Sequence, residues 1–111
     1  MENQLRKIRY YAFFDGTSPC LAWINSLRDI NTQTAVLNRI HRMALGNFGD
    51  YKHLESDLFE ARIHYGSGYR IYFGLVKEIM VIILYGGAKG SQKQGIKKAK
   101  LYWEDFKKRN L

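Results

Sequence analysis

The sequence predicts an α+β fold, a small antiparallel-rich β-sheet with an N-terminal helix pair and a C-terminal helix, in the order β-α-α-β-β-β-α. Three observations predict it. Gly66-Ser67-Gly68 separates two runs rich in β-formers, so a hairpin is expected there. Residues 79–85, I-M-V-I-I-L-Y, are apolar throughout, the pattern of a central strand covered on both faces. Apolar residues recur at helical spacing between positions 21 and 44 and again after position 91.

Residues 5–14 (L-R-K-I-R-Y-Y-A-F-F) start with alternation, Lys7 and Arg9 against Ile8 and Tyr10, and are read as the first strand. After the turn at Asp15-Gly16-Thr17, Ser18 caps a helix with Pro19 at its first position, and Leu21, Ile24 and Leu27 follow to near Arg28. A second helix is expected from an Asn31 cap, with a stripe of Val36, Leu37, Ile40, Met43 and Ala44 flanked by Arg39 and Arg42, and a stop at Gly46. Asn47-Phe48-Gly49-Asp50 is loop chemistry. Strands are expected over 58–65, 69–76 and 79–85, closed by Gly86-Gly87-Ala88-Lys89-Gly90, and Ser91 opens a basic last helix.

The chain of 111 residues is one domain, 1–111, large enough for a core without a disulfide or a metal. Cys20 is the single cysteine, which excludes an intrachain disulfide and Cys-pair metal sites. The apolar run 79–85 is far short of the ~20 residues of a membrane helix, and the N-terminus M-E-N-Q-L-R-K has no signal-peptide core. The expected setting is cytoplasmic, with no membrane partner. Charge is uneven: residues 89–111 carry eight basic and two acidic side chains, a net of +6 of the total +8. Such a block suits a polyanionic partner, and it also suits an ordinary solvated helix face.

The hairpin makes a geometric expectation. A three-residue loop at 66–68 sets Tyr65 opposite Tyr69, His64 opposite Arg70, Ile63 opposite Ile71 and Arg62 opposite Tyr72. Ala61, Ile63, Tyr65, Tyr69, Ile71 and Phe73 then share a core face. Glu60, Arg62, His64, Arg70, Tyr72 and Gly74 share an outward one. The glycines are turn residues rather than a phosphate cradle, because no G-x-x-x-x-G-K-[S/T] pattern is present. The outward face is either a cationic site or a plain β-surface. His41, His53 and His64 lack metal-ligand spacing, and there is no H-E-x-x-H or nucleophile elbow.

The segments G-N-F-G-D (46–50), E-A-R-I-H-Y-G-S-G-Y-R-I-Y-F (60–73) and L-Y-G-G-A-K-G-S-Q (84–92), in this order, resemble the HigB-like addiction-module killer proteins of the RelE/ParE superfamily. The resemblance runs from the S-P-C-L-A-W-I-N helix to the Lys-rich end and implies the same element order. It also implies a type II toxin, a ribosome-dependent mRNA endonuclease without metal or other cofactor, silenced by a cognate antitoxin such as a small helix-turn-helix protein. In that chemistry the ribose 2′-OH attacks the neighbouring phosphorus, leaving a 2′,3′-cyclic phosphate and a 5′-OH. It needs a proton acceptor, a proton donor and cations around the phosphorane.

Arg70 of S-G-Y-R matches the family's strand arginine at the phosphate, Arg62 lies near a strand Lys/Arg position, and Lys89 and Gln92 sit where relatives carry further catalytic groups. His64 is added from its placement as the proton shuttle, since a free imidazole titrates near neutrality. Lys52, Tyr72, Lys93 and Lys97 complete the expected RNA contacts. K-G-S-Q at 89–92 replaces the arginine of many nuclease relatives, and Gly95 replaces an Asp, which is expected to weaken the last helix by roughly 1 kcal/mol relative to Ala. Two other functions fit the same fold: a ParE-like inhibitor of DNA gyrase, and a non-catalytic RNA- or partner-binding module.

Overall fold

A computed structural model describes residues 4–111. Met1–Asn3, the head of the stretch read for a signal peptide, lie outside the described residues. The order is β1 (Lys7–Tyr10), α1 (Pro19–Ser26), α2 (Ile30–Ala44), β2 (Tyr51–Glu55), β3 (Leu58–Ile63), β4 (Tyr69–Val76), β5 (Met80–Ala88) and, after a single 3₁₀ turn, α3 (Gln92–Asn110). The strands form one mixed sheet, β1-β5-β4-β3-β2. β2 to β5 are an antiparallel meander, and β1 joins β5 in parallel, Lys7 opposite Met80. The α+β class holds.

The sheet is covered on both sides. α1 and α2 lie over Ala61, Ile63, Ile71, Phe73, Val81 and Ile83. α3 lies over Leu58, Tyr72, Ile82 and Leu84 through Ala99, Trp103 and Phe106. Alternate residues of β5 therefore enter opposite cores, and Val81 through Leu84 are fully buried, as expected of a strand apolar at every position.

Several boundaries differ from the sequence expectation, each for a visible reason. β1 ends at Tyr10 because Phe13 N–H turns to the Thr17 carbonyl and Gly16 N–H returns to the Phe13 carbonyl. Ser18 caps α1 as expected, its Oγ accepting from Leu21 N–H. α2 is capped by Asp29 rather than Asn31: Oδ1 accepts from Asn31 N–H and Oδ2 from the Thr32 hydroxyl. β2 is an additional strand, on the sheet edge, mostly exposed and irregular between His53 and Glu55. β5 runs on through Gly86 and Gly87. Gly86 has no room for a side chain, because a Cβ there would stand 2.4 Å from the Trp23 ring.

Arg39 is buried rather than flanking the stripe of α2. Its Nε donates to the Phe48 carbonyl at 3.1 Å, Nη1 to the Arg62 carbonyl at 2.7 Å and Nη2 to the Asp50 carbonyl at 2.6 Å. G-N-F-G-D is folded around this guanidinium. Phe48 fills the core, and Gly49 (φ +63°) passes so close that a Cβ would lie 2.7 Å from the guanidinium.

Candidate functional site

The hairpin between β3 and β4 is longer than expected. Strand pairing ends at Ile63↔Tyr69, with Arg62↔Arg70, Ala61↔Ile71 and Glu60↔Tyr72, so residues 64–68 form a five-residue loop. Gly68 N–H closes it onto the Tyr65 carbonyl, and Gly66 and Gly68 have φ of +57° and +95°. Relative to the expected register every pair has moved by two residues. Because side chains alternate with period two, the strand residues keep their faces while their partners change. Tyr65 and His64 leave the ladder and stand exposed.

The face carrying Glu60, Arg62, Arg70 and Tyr72 is not a solvated one, and this corrects the outward placement of Arg70. The start of α3 covers it. Glu60 is fully buried, Arg70 is 7% exposed and Tyr72 1%. Glu60 Oε2 accepts from Gln92 Nε2 at 2.8 Å, while its Oε1 lies 3.4 Å from Arg62 Nε and 3.7 Å from Arg70 Nε. Sequence reasoning placed Glu60 on this face without giving it a role. Its signal was available: a carboxylate two positions from Arg62 on the strand facing Arg70 is the natural counter-ion of both.

Tyr72 has no free ring face on which a base could stack, which corrects its assignment to RNA contact. Burial, then the Glu60 charge, raises its phenol to about 12. Gln92 is committed to Glu60 and holds α3 down rather than offering its amide to a ligand. α3 is continuous through Gly95, and a Cβ there would stand 2.7 Å from the Tyr72 ring and hydroxyl. The bare backbone lets the helix close over the tyrosine.

What reaches solvent is a cleft of about 210 Å³ at the hairpin, lined by His64, Gly66, Ser67, Gly68, Arg70 and Lys89. Lys89 N–H donates to the Gly68 carbonyl at 3.0 Å, and the Lys89 side chain lies along Gly68. Arg70 enters from below. Its Nε has no acceptor within hydrogen-bond distance among the described residues, and Nη1 makes only a 3.5 Å contact with the Tyr69 carbonyl. His64 stands at the rim, its Nε2 2.6 Å from Asp50 Oδ2. That bond first, then the charges of His64, Arg62 and Arg39, hold the Asp50 carboxyl below the ordinary range against the opposing desolvation.

The cleft thus unites three of the expected catalytic residues, His64, Arg70 and Lys89. Arg62 is one strand over with its guanidinium turned to Glu60. Lys52 is exposed on β2 opposite Glu60, and Lys93 and Lys97 are exposed on α3. Part of the basic block on α3 is already paired: Lys100 with Glu55, Lys107 with Glu104 and Arg109 with Asp105. Among the described residues no three His, Cys, Asp or Glu side chains gather as metal ligands, and no helix is long and apolar enough to cross a membrane.

No family model matches the chain. It is 40% identical over 85 residues, 77% of its own length and 86% of the relative's, to a protein of Haemophilus influenzae described as uncharacterized. The two belong to one family.

Proposed function

We propose that the protein is a toxin of the RelE/ParE type, HigB-like, acting as a metal-independent endonuclease on mRNA in the translating ribosome and held silent by a cognate antitoxin. One observation carries this reading: Arg70, Lys89 and His64 line one solvent-open cleft of about 210 Å³ at the hairpin. A guanidinium and an ammonium in a partly dehydrated cleft stabilise the charge that grows on a phosphorane more than that on the starting diester. The three motifs of the resemblance and the α+β class support the same reading.

In the proposed reaction His64 takes the proton as the 2′-oxygen forms its bond to phosphorus. The P–O5′ bond breaks, the 5′-oxygen leaves with a proton from the Lys89 ammonium, and the products are a 2′,3′-cyclic phosphate and a 5′-hydroxyl. Arg70 stays charged throughout and follows the phosphate oxygens. Glu60 holds Arg70 and Arg62 in place.

The test is induction of wild type, Arg70→Ala and Lys89→Ala in cells, with growth followed and RNA 5′ ends mapped. Wild type is expected to arrest growth and create new 5′-hydroxyl ends inside coding regions, and both variants to lose them. Because Arg70 is buried against Glu60, its alanine variant is also expected to lose about 1–3 kcal/mol of stability. Exposed Lys89 serves as the control without that cost. Equal toxicity from all three proteins, or no new ends, overturns the reading. A purified protein that blocks supercoiling by gyrase instead places it with the ParE-like inhibitors.

A further inference from the structure

Asp50 carries the further inference. Its backbone is tied more firmly than a loop residue requires: the carbonyl accepts from Arg39 Nη2 at 2.6 Å and from Arg62 N–H at 2.8 Å. Its carboxylate, by contrast, is half in solvent, and His64 is its one hydrogen-bond partner among the described residues. An Asn or Ser at position 50 would keep both backbone bonds, since neither involves the side chain. The carboxylate is therefore idle in the fold except toward His64.

Resting on the nuclease reading, we propose that Asp50 is a positioning residue for His64: its carboxylate takes the Nε2–H, fixes the ring at the rim of the cleft, and leaves Nδ1 to receive the 2′-hydroxyl proton. A neutral imidazole has one donor nitrogen and one acceptor nitrogen, and the partner of the first decides the second. As the ring becomes an imidazolium in the transition state, the carboxylate 2.6 Å away gains a charged partner, so the interaction strengthens as the proton moves. The lowered pKa of the Asp50 carboxyl favours its ionised, acceptor form. Around the pair stand Arg62 on β3, Arg70 on β4, Lys89 at the end of β5 and, behind the loop, Arg39 on α2. All are cations, so the imidazolium formed in the transition state has Asp50 as its carboxylate partner. The clamp on Arg39 gives the dyad its geometry, because Gly49 and Asp50 cannot shift without breaking bonds in the core.

The experiment uses the purified full chain and the variants Asp50→Asn and Asp50→Ala. First, ¹⁵N spectra of the histidine side chains are recorded above the imidazole titration. Wild type is expected to show His64 with Nε2 protonated and Nδ1 bare. Asp50→Asn, whose amide can donate to Nε2, and Asp50→Ala are expected to change that pattern. Second, single-turnover cleavage of ribosome-bound mRNA is followed from pH 6 to 9. Both variants are expected to lose about 10- to 100-fold in rate, part of the 10²–10⁴ that a positioned base contributes, with unchanged ribosome affinity and an unchanged melting temperature. A His64 spectrum identical in all three proteins, or full-rate cleavage by Asp50→Ala, overturns the role of Asp50 alone. A wild type that pairs His64 with Asp50 but cleaves no RNA overturns the nuclease reading and this inference with it.

Discussion

Two of the buried arginines, Arg39 and Arg70, separate two regions of the molecule. Around Arg39, on α2, each guanidinium nitrogen donates once: three carbonyls from 48, 50 and 62 surround it, with no carboxylate in the set. Around Arg70, under α3, a carboxylate is present, but the nearest oxygen lies at 3.7 Å and Nε is unsatisfied. Similar burial thus serves two ends. Arg39 saturates its surroundings and makes a joint. Arg70 is held by charge rather than by tight hydrogen bonds, which leaves it donors for a ligand.

The contrast can be broken in graded ways. The largest effect is expected from Arg39→Ala, which strands three backbone carbonyls in the interior and frees the loop bearing Phe48 and Asp50. A loss of about 3–5 kcal/mol is expected, counting charged hydrogen bonds at ~1.5–3 kcal/mol each with partial relaxation. Urea unfolding checks it, and a loss no larger than that of Arg70→Ala would erase the distinction between the two regions.

Next comes Gly95→Ala. Helix propensity alone favours alanine by about 1 kcal/mol. The 2.7 Å clash with Tyr72 works against it and is expected to win, since overpacking typically costs about 1–3 kcal/mol. A lowered melting temperature supports the close docking of α3 on the polar face; a raised one means that α3 can lift.

The smallest effect is expected from Tyr72→Phe, and it is confined to alkaline pH. In the wild type the phenol is neutral in both states below pH 10, and above that the unfolded chain ionises first. Stability therefore falls as pH climbs from 10 toward the folded value of about 12. Tyr10 and Tyr11, raised chiefly by burial, add to this slope. Tyr72→Phe should flatten the largest part of it while leaving the melting temperature at pH 7 nearly unchanged.

Local signals carried well from sequence to structure. Ser18 and Pro19 open α1, Val81–Leu84 of the 79–85 run fill both cores while Ile79 stands exposed before the strand, and the alternation of β3 and β4 sorted their strand residues onto the correct faces although the register was two residues off. Non-local signals did not carry. β2 has few apolar residues and is a strand because β3 offers an edge. Arg39 reads as a helix-surface cation until three distant carbonyls converge on it. The burial of Arg70 and Tyr72 depends on where α3 lands, and nothing within residues 60–73 encodes that. The cleft was legible as to residue type at Arg70, Lys89 and His64, and Glu60 as a counter-ion, while the contact of Asp50 with His64 emerges only when strand and loop meet.

The parallel pairing of β1 with β5 bears on how the chain matures during synthesis. β2 through β5 each bond to the strand before or after them, so they can close as soon as they are made. β1 is made first, yet its partners, residues 80–83, are made near the end. Until then a nascent molecule has its oldest strand unpaired, and once β5 forms it carries an open edge of Val81, Ile82 and Ile83. Such an edge invites pairing with a neighbouring chain. The return of the first strand to the last thus replaces that apolar edge with β1, whose exposed Lys7 and Arg9 discourage such pairing.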